Sequence, residues 1–170
     1  MSAERTFNMA FVLDQLKPNQ KYFEAICGIP HPSTEEKAVS DYVCSVAEKL
    51  GLNYEQDKFW NVIVRKPASK GYEDAPVVML EGHMDMVCVK TPESTHDFSH
   101  DPIEIYVDDK GDIRAKDTTL GADDGYGVAY MLAVMEEDFP HPPLELVFTE
   151  QEENGCNGVD ALDADKLKSR

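Results

Sequence analysis

The chain has 170 residues, 42% hydrophobic and 29% charged, the balance of a globular protein with one real core. Asp and Glu number 33 against 16 Lys and Arg, a formal charge of −17 with no basic run or stripe, which opposes a nucleic-acid partner. Four scattered cysteines without a C-x-x-C pair, a start (MSAERTFNMAF) unlike a signal peptide, and no stretch of membrane-spanning length fit a reduced, cytoplasmic protein with no membrane partner.

Asn19 to Ile29 is expected to form a short helix, stopped by the stiff IPHPS. Ser33 and Glu36 have the S-x-x-E spacing of a capping box. Behind them Ala38, Val39, Tyr42, Val43, Val46, Ala47 and Leu50 recur at helical spacing up to Gly51. Asn61 to Arg65 and the apolar run Val77 to Leu80 read as strands, the second as a buried one. Ile103 to Val107 and Ile113 to Ala115 flank the turn DDKGD and form an expected hairpin. That turn is no calcium loop, because counting from Asp108 the third and twelfth positions are Lys110 and Thr119. Gly121 to Glu137 is a loop entering a helix. Leu144, Leu146 and Phe148 alternate as in a strand, and Asp160 to Leu167 begins a last helix. Helices alternating with strands predict an α/β sandwich with a mixed sheet.

Polar clusters stand where three of these elements end or begin. His83 and Asp85 are two residues apart in LEGHMDMV, so in an extended chain they face one side. Asp123 and Asp124 precede a helix, where they could simply complement its dipole. Glu152 and Glu153 follow a strand and could be a solvated end. Together, one imidazole and several carboxylates make a nitrogen/oxygen donor set that suits zinc, with manganese or cobalt as alternatives. A carboxylate left out of the set could act as a base toward water.

GHMDMV, HDFSHDPI, TTLGADDGYGVA and FTEQEENG, in this order and spacing, resemble the aminoacylhistidine dipeptidases (Xaa-His dipeptidases, peptidase D) of the co-catalytic zinc exopeptidases. The resemblance runs from about PHPSTEE onward. It implies an α/β sandwich of the zinc exopeptidase type and removal of the N-terminal residue from short peptides, typically Xaa-His dipeptides such as β-alanyl-histidine. It implies that His83 and Glu153 ligate metal, that Asp123 bridges two zinc ions, that Asp85 orients His83, and that Glu152 is the general base. It also implies a cis peptide after Asp123. Asp124 departs from the pattern, since close relatives often carry Asn there.

The resemblance further implies parts that these 170 residues do not contain: another carboxylate ligand near or past Arg170, a late histidine ligand, and an inserted lid domain that supports a homodimer. Residues 1–170 are accordingly expected to be an N-terminal portion of a catalytic domain, apparently truncated. The alternative is a catalytically silent metal-binding or interaction module. His96, Asp97, His100 and Asp101 are densely spaced enough to suggest a second metal site, but the resemblance places them in a connecting loop. His31 is expected to be structural, and His141 to be a loop residue without a partner.

Overall fold

The computed structural model describes residues 11–169; the start of the chain through Ala10, on which the signal-peptide reading rests, lies outside them. Helix α1 (Pro18–Cys27) opens with a proline in its first turn, where the missing N–H breaks no helical bond. It buries Tyr22, Phe23, Ile26 and Cys27. Helix α2 (Lys37–Lys49) buries Val39, Val43, Val46 and Ala47, the stripe expected from its periodicity. The expected capping box does not form. Glu36 is the N-cap residue of α2, but neither its side chain nor that of Ser33 caps the helix; Ser33 Oγ donates to Asp85 Oδ2 at 2.6 Å, and Glu36 Oε1 accepts the Gln151 N–H at 3.0 Å.

Strands β1 (Asn53–Gln56), β2 (Val62–Lys66), β3 (Val78–His83) and β6 (Leu144–Thr149) form one sheet in the order β1-β2-β6-β3. The β1/β2 and β2/β6 pairs are antiparallel and β3/β6 is parallel, so the sheet is mixed. Val62 lies opposite Phe148 and Val64 opposite Leu146, and all four pack in the core with α1, α2 and the third helix. The residues between them point to the other face, where Ile63, Glu145 and Val147 are also buried. The C-terminal segment, with α4 (Asn157–Ala161) and a 3-10 turn (Ala164–Lys166), is tied to that face. Arg65 donates to the Lys166 carbonyl, and the Lys168 and Ser169 amides reach Glu145. The single helix expected over Asp160 to Leu167 is therefore two shorter pieces, broken around Leu162.

The run Val77 to Leu80 was expected to be buried, yet β3 is an edge strand and Val78 and Met79 are 43% and 44% exposed. It reaches further than expected, through His83. Helix α3 (Ala122–Glu136) packs on α1 and β3 and buries Val128, Ala129, Leu132 and Ala133. Its start is irregular: Asp123 and Asp124 have non-helical dihedrals and a cis peptide joins them. Gly82 makes room for this start, since a Cβ there would stand 2.6 Å from Asp124 Oδ2. The hairpin of β4 (Ile105–Val107) and β5 (Ile113–Ala115) is present, with Asp108 Oδ1 accepting the Lys110 and Asp112 amides across its turn. His141, expected to lack a partner, is buried: its ring Nδ1 lies 2.7 Å from the Pro142 carbonyl and its backbone N–H donates to Ser69 Oγ at 2.8 Å. Among the described residues no helix is long and apolar enough to cross a membrane.

Candidate metal centre

The C-terminal ends of β3 and β6 lie side by side, with His83 opposite Thr149 in register. Parallel pairing sends both chains out on the same edge of the sheet, and the start of α3 enters from a third direction. Ligand sites in open α/β sheets form in such crevices beyond the carboxyl ends of strands. Three sequence-distant segments thus deliver five side chains to one place. His83, Asp123 and Glu153 each offer one ligand atom, and these atoms all lie within 4.8 Å of one another. His83 Nε2 is 3.1 Å from Asp123 Oδ1, and Glu152 Oε2 is 4.0 Å from the same nitrogen.

Asp85 sits behind the imidazole. His83 Nδ1 lies 3.2 Å from Asp85 Oδ1 and 3.1 Å from the Asp85 carbonyl, which turns Nε2 toward Asp123 and Glu153. The Asp85 carboxylate is fully enclosed yet well satisfied. Besides His83 it accepts the Ser33 hydroxyl at 2.6 Å, the Glu152 amide at 2.9 Å and the Glu153 amide at 3.2 Å. Burial alone would raise its pKa, but the bonds from His83, Ser33 and the two amides outweigh it and hold the pKa down to about 2. For His83, burial works toward the neutral ring, and the bonds to Asp85 and Asp123 overcome it and raise the pKa to about 9.

The opposite sign prevails on the surrounding acids. Desolvation, with repulsion from Asp123, raises Asp124, and desolvation, with repulsion from Glu152, Asp123 and Asp85, raises Glu153. Asp123 projects into solvent with a side chain 90% exposed, and its one charged partner within ion-pair distance among the described residues is His83. Carboxylates crowded around one imidazole repel each other, and a divalent cation would relieve that repulsion. The donor set fits one. Donors about 2.0–2.2 Å from a tetrahedral zinc stand roughly 3.4 Å apart. The His83–Asp123 spacing is already close to that, and the exposed Glu153 can close the remainder by side-chain rotation. An imidazole whose far nitrogen is held by a carboxylate is also the usual arrangement behind a metal-ligating histidine.

Sequence reading missed the supports of this corner. Ser33, Glu36 and Asn61 were not singled out for it. Asn61 Oδ1 accepts the Glu150 amide at 3.1 Å and its Nδ2 donates to the Gly158 carbonyl at 3.0 Å, which pins the segment after β6 from its other side. The S-x-x-E spacing was the available signal, and a helix-start reading absorbed it. Asp124 does not join the donor group; its carboxylate is wedged between Gly82 and Gly127, where added Cβ atoms would collide with it. The dense quartet at 96–101 stays apart. His100 and Asp97 form an exposed pair at 3.2 Å, and His96 packs edge-on against Phe98.

No family model matches the chain. It is 41% identical over 160 residues, 92% of its length, to the cytosol non-specific dipeptidase of Escherichia coli K12, and covers 33% of that protein. Its fold superposes on an aminoacylhistidine dipeptidase from Vibrio alginolyticus with a TM-score of 0.88 and 39% identity, over 96% of this chain and 33% of the other. A tripeptidase from Staphylococcus aureus shares the fold at a TM-score of 0.75 and 24% identity, over 94% of this chain and 42% of its own. The chain spans about a third of the length of the dipeptidases it matches.

Proposed function

We propose, on the premise that this chain is related in sequence and fold to the aminoacylhistidine dipeptidases over a third of their length, that it contributes the N-terminal portion of a metal-dependent dipeptidase domain. The observation that carries the reading is the convergence of His83, Asp123 and Glu153 from three segments, with Asp85 fixed behind the imidazole. These three would hold a divalent cation, zinc for preference and manganese or cobalt as substitutes. When bound, the cation supplies Lewis-acid activation of water and of the scissile carbonyl.

The chain's own residues supply the rest. Asp85 keeps His83 in one orientation through Nδ1, so that Nε2 faces the donor cluster. Glu152 is outside the donor group but beside it, 4.0 Å from His83 Nε2, and its half-buried carboxylate is free to receive a proton from water. It then returns that proton to the departing amine. The substrates are short peptides cleaved after their first residue, Xaa-His dipeptides among them. The complete protein would act in the cytoplasm as a homodimer.

One observation favours the second reading, a metal-binding module without turnover. Among the described residues the donors form a single group of three, fewer than two cations need. Purified chain with added zinc and β-alanyl-histidine separates the two. We expect zinc to bind with weak or no hydrolysis by the 170 residues alone and robust hydrolysis by a protein of the relatives' full length. Failure of the chain to bind zinc at all would overturn both.

A further inference from the structure

The Ser33 and Glu36 side chains do not make the helix cap that their spacing suggests, and both go elsewhere. Glu36 is 0% exposed, an unusual place for a carboxylate. Its Oε1 accepts the backbone amide of Gln151 at 3.0 Å, from a residue 115 positions away, and its Oε2 is buried without a hydrogen-bond partner. Gln151 has φ of 49°, a left-handed turn that a non-glycine side chain rarely adopts. The next two amides, Glu152 and Glu153, go to Asp85, and Asp85 is itself held by Ser33. Three consecutive N–H groups beyond β6 are thus caught by two buried carboxylates, and both carboxylates are anchored through the one segment ahead of α2.

We infer that Glu36 is a positioning residue for the metal centre, holding the turn at Gln151 so that Glu152 and Glu153 reach the donor cluster with their amides on Asp85. A backbone turn with one left-handed residue offers its next two side chains in fixed directions only while its amides stay caught. Released at Gln151, the segment relaxes toward ordinary dihedrals, and the Glu152 and Glu153 amides leave Asp85 even though Glu36 touches neither. The chemical consequence rests on the dipeptidase reading; the coupling between Glu36 and those two amides does not.

Amide hydrogen exchange on the metal-free 170-residue chain tests the coupling. Glu36→Ala should speed exchange at Gln151 and also, by tenfold or more, at Glu152 and Glu153, while the β2/β6 ladder stays protected. Glu36→Asp retracts the carboxylate by one methylene, keeps the carboxyl group, and should show the same pattern if Glu36→Ala does not fold. Glu36→Gln retains an oxygen for the Gln151 amide and should restore protection in large part. In a second measurement, zinc affinity should fall about 10–100-fold in Glu36→Asp, the usual loss when a support behind a ligand is removed. The visible spectrum of the cobalt-loaded chain should change with it. Unchanged exchange at Glu152 and Glu153 in a folded Glu36→Asp chain overturns the inference. Absence of zinc binding by the parent chain counts against the two readings of the site and not against this coupling, because the exchange result stands without metal.

Discussion

Two clusters in this chain combine histidine with carboxylates, and only one of them gathers its donors within 4.8 Å of one another. His96, Asp97, His100 and Asp101 lie within six positions of sequence, whereas His83, Asp123 and Glu153 are spread over seventy. The dense cluster stays local: Asp97 accepts its own Ser99 amide, Asp101 accepts the Asp97 amide, and His100 touches Asp97 across three residues in solvent. The dispersed cluster is assembled by the sheet, because parallel β3 and β6 end on the same edge and α3 starts beside them. Proximity in sequence places side chains on one loop, where water satisfies them separately. Convergence from separate elements crowds them around one imidazole, even though Asp123 and Glu153 stay exposed to solvent.

The sharpest way to break this contrast is to remove one histidine from each cluster. His83→Ala should abolish measurable zinc binding by calorimetry, and His100→Ala should leave the affinity within about twofold, as expected of an exposed local pair. Comparable losses from the two would mean that the loop cluster takes part in binding.

Within the dispersed cluster, the adjacent glutamates should then separate in role. In a protein of the relatives' full length, Glu152→Gln should lower turnover by roughly 10²–10⁴-fold with metal content nearly intact. Glu153→Gln should lose metal, because a neutral amide is a poorer ligand than a carboxylate. Zinc per chain measured beside turnover decides it, and the reverse pattern would exchange the two assignments. Asp85→Asn should act more mildly, weakening zinc affinity about 10–100-fold by loosening His83.

The contrast also shows what a sequence can reveal. Periodicity located α2 through its valine and alanine stripe, and alternation located β6, because both patterns are local consequences of burial on one face. Strand β1 escaped notice. Asn53–Gln56 is exposed throughout, and its ladder to Val62–Arg65 depends on a partner strand rather than on its own composition. The same non-locality hid Ser33 and Glu36, whose partners lie 52 and 115 residues away. The motif resemblance proposed the five residues of the corner, and the fold brings them together. What no local pattern could supply was the set of carboxylate-to-amide bonds that orders the turn beyond β6.

A smaller, global effect should follow the same rule away from the metal centre. Glu145 and Asp97 both have lowered pKa values, but they are held differently. Glu145 is 1% exposed; it accepts the Lys168 and Ser169 amides at 2.9 and 3.0 Å, the Ser169 hydroxyl at 2.9 Å and Arg65 Nε at 3.2 Å. Burial pushes its pKa up, and those bonds pull it below the ordinary glutamate value of 4.5. A carboxylate whose folded pKa lies below its unfolded one binds fewer protons in the native state. Its contribution is therefore complete above about pH 4.5 and is lost as the pH falls through the folded value. Asp97 owes its lowered value first to the Ser99 amide, in open solvent, on a loop that contributes little to the core. Glu145→Gln should cost about 1–3 kcal/mol at pH 7, the scale of hydrogen bonds to a charged group. That cost should shrink as the pH is lowered below 4.5, because the unfolded parent then takes up a proton at Glu145 that the folded one resists. Asp97→Asn should leave the denaturation midpoint unchanged within error at both pH values. Urea melts of the three chains at pH 7 and pH 3.5 make the comparison, and a Glu145→Gln deficit that is equal at the two pH values would show that the charge at Glu145 does not hold the C-terminal segment on the sheet.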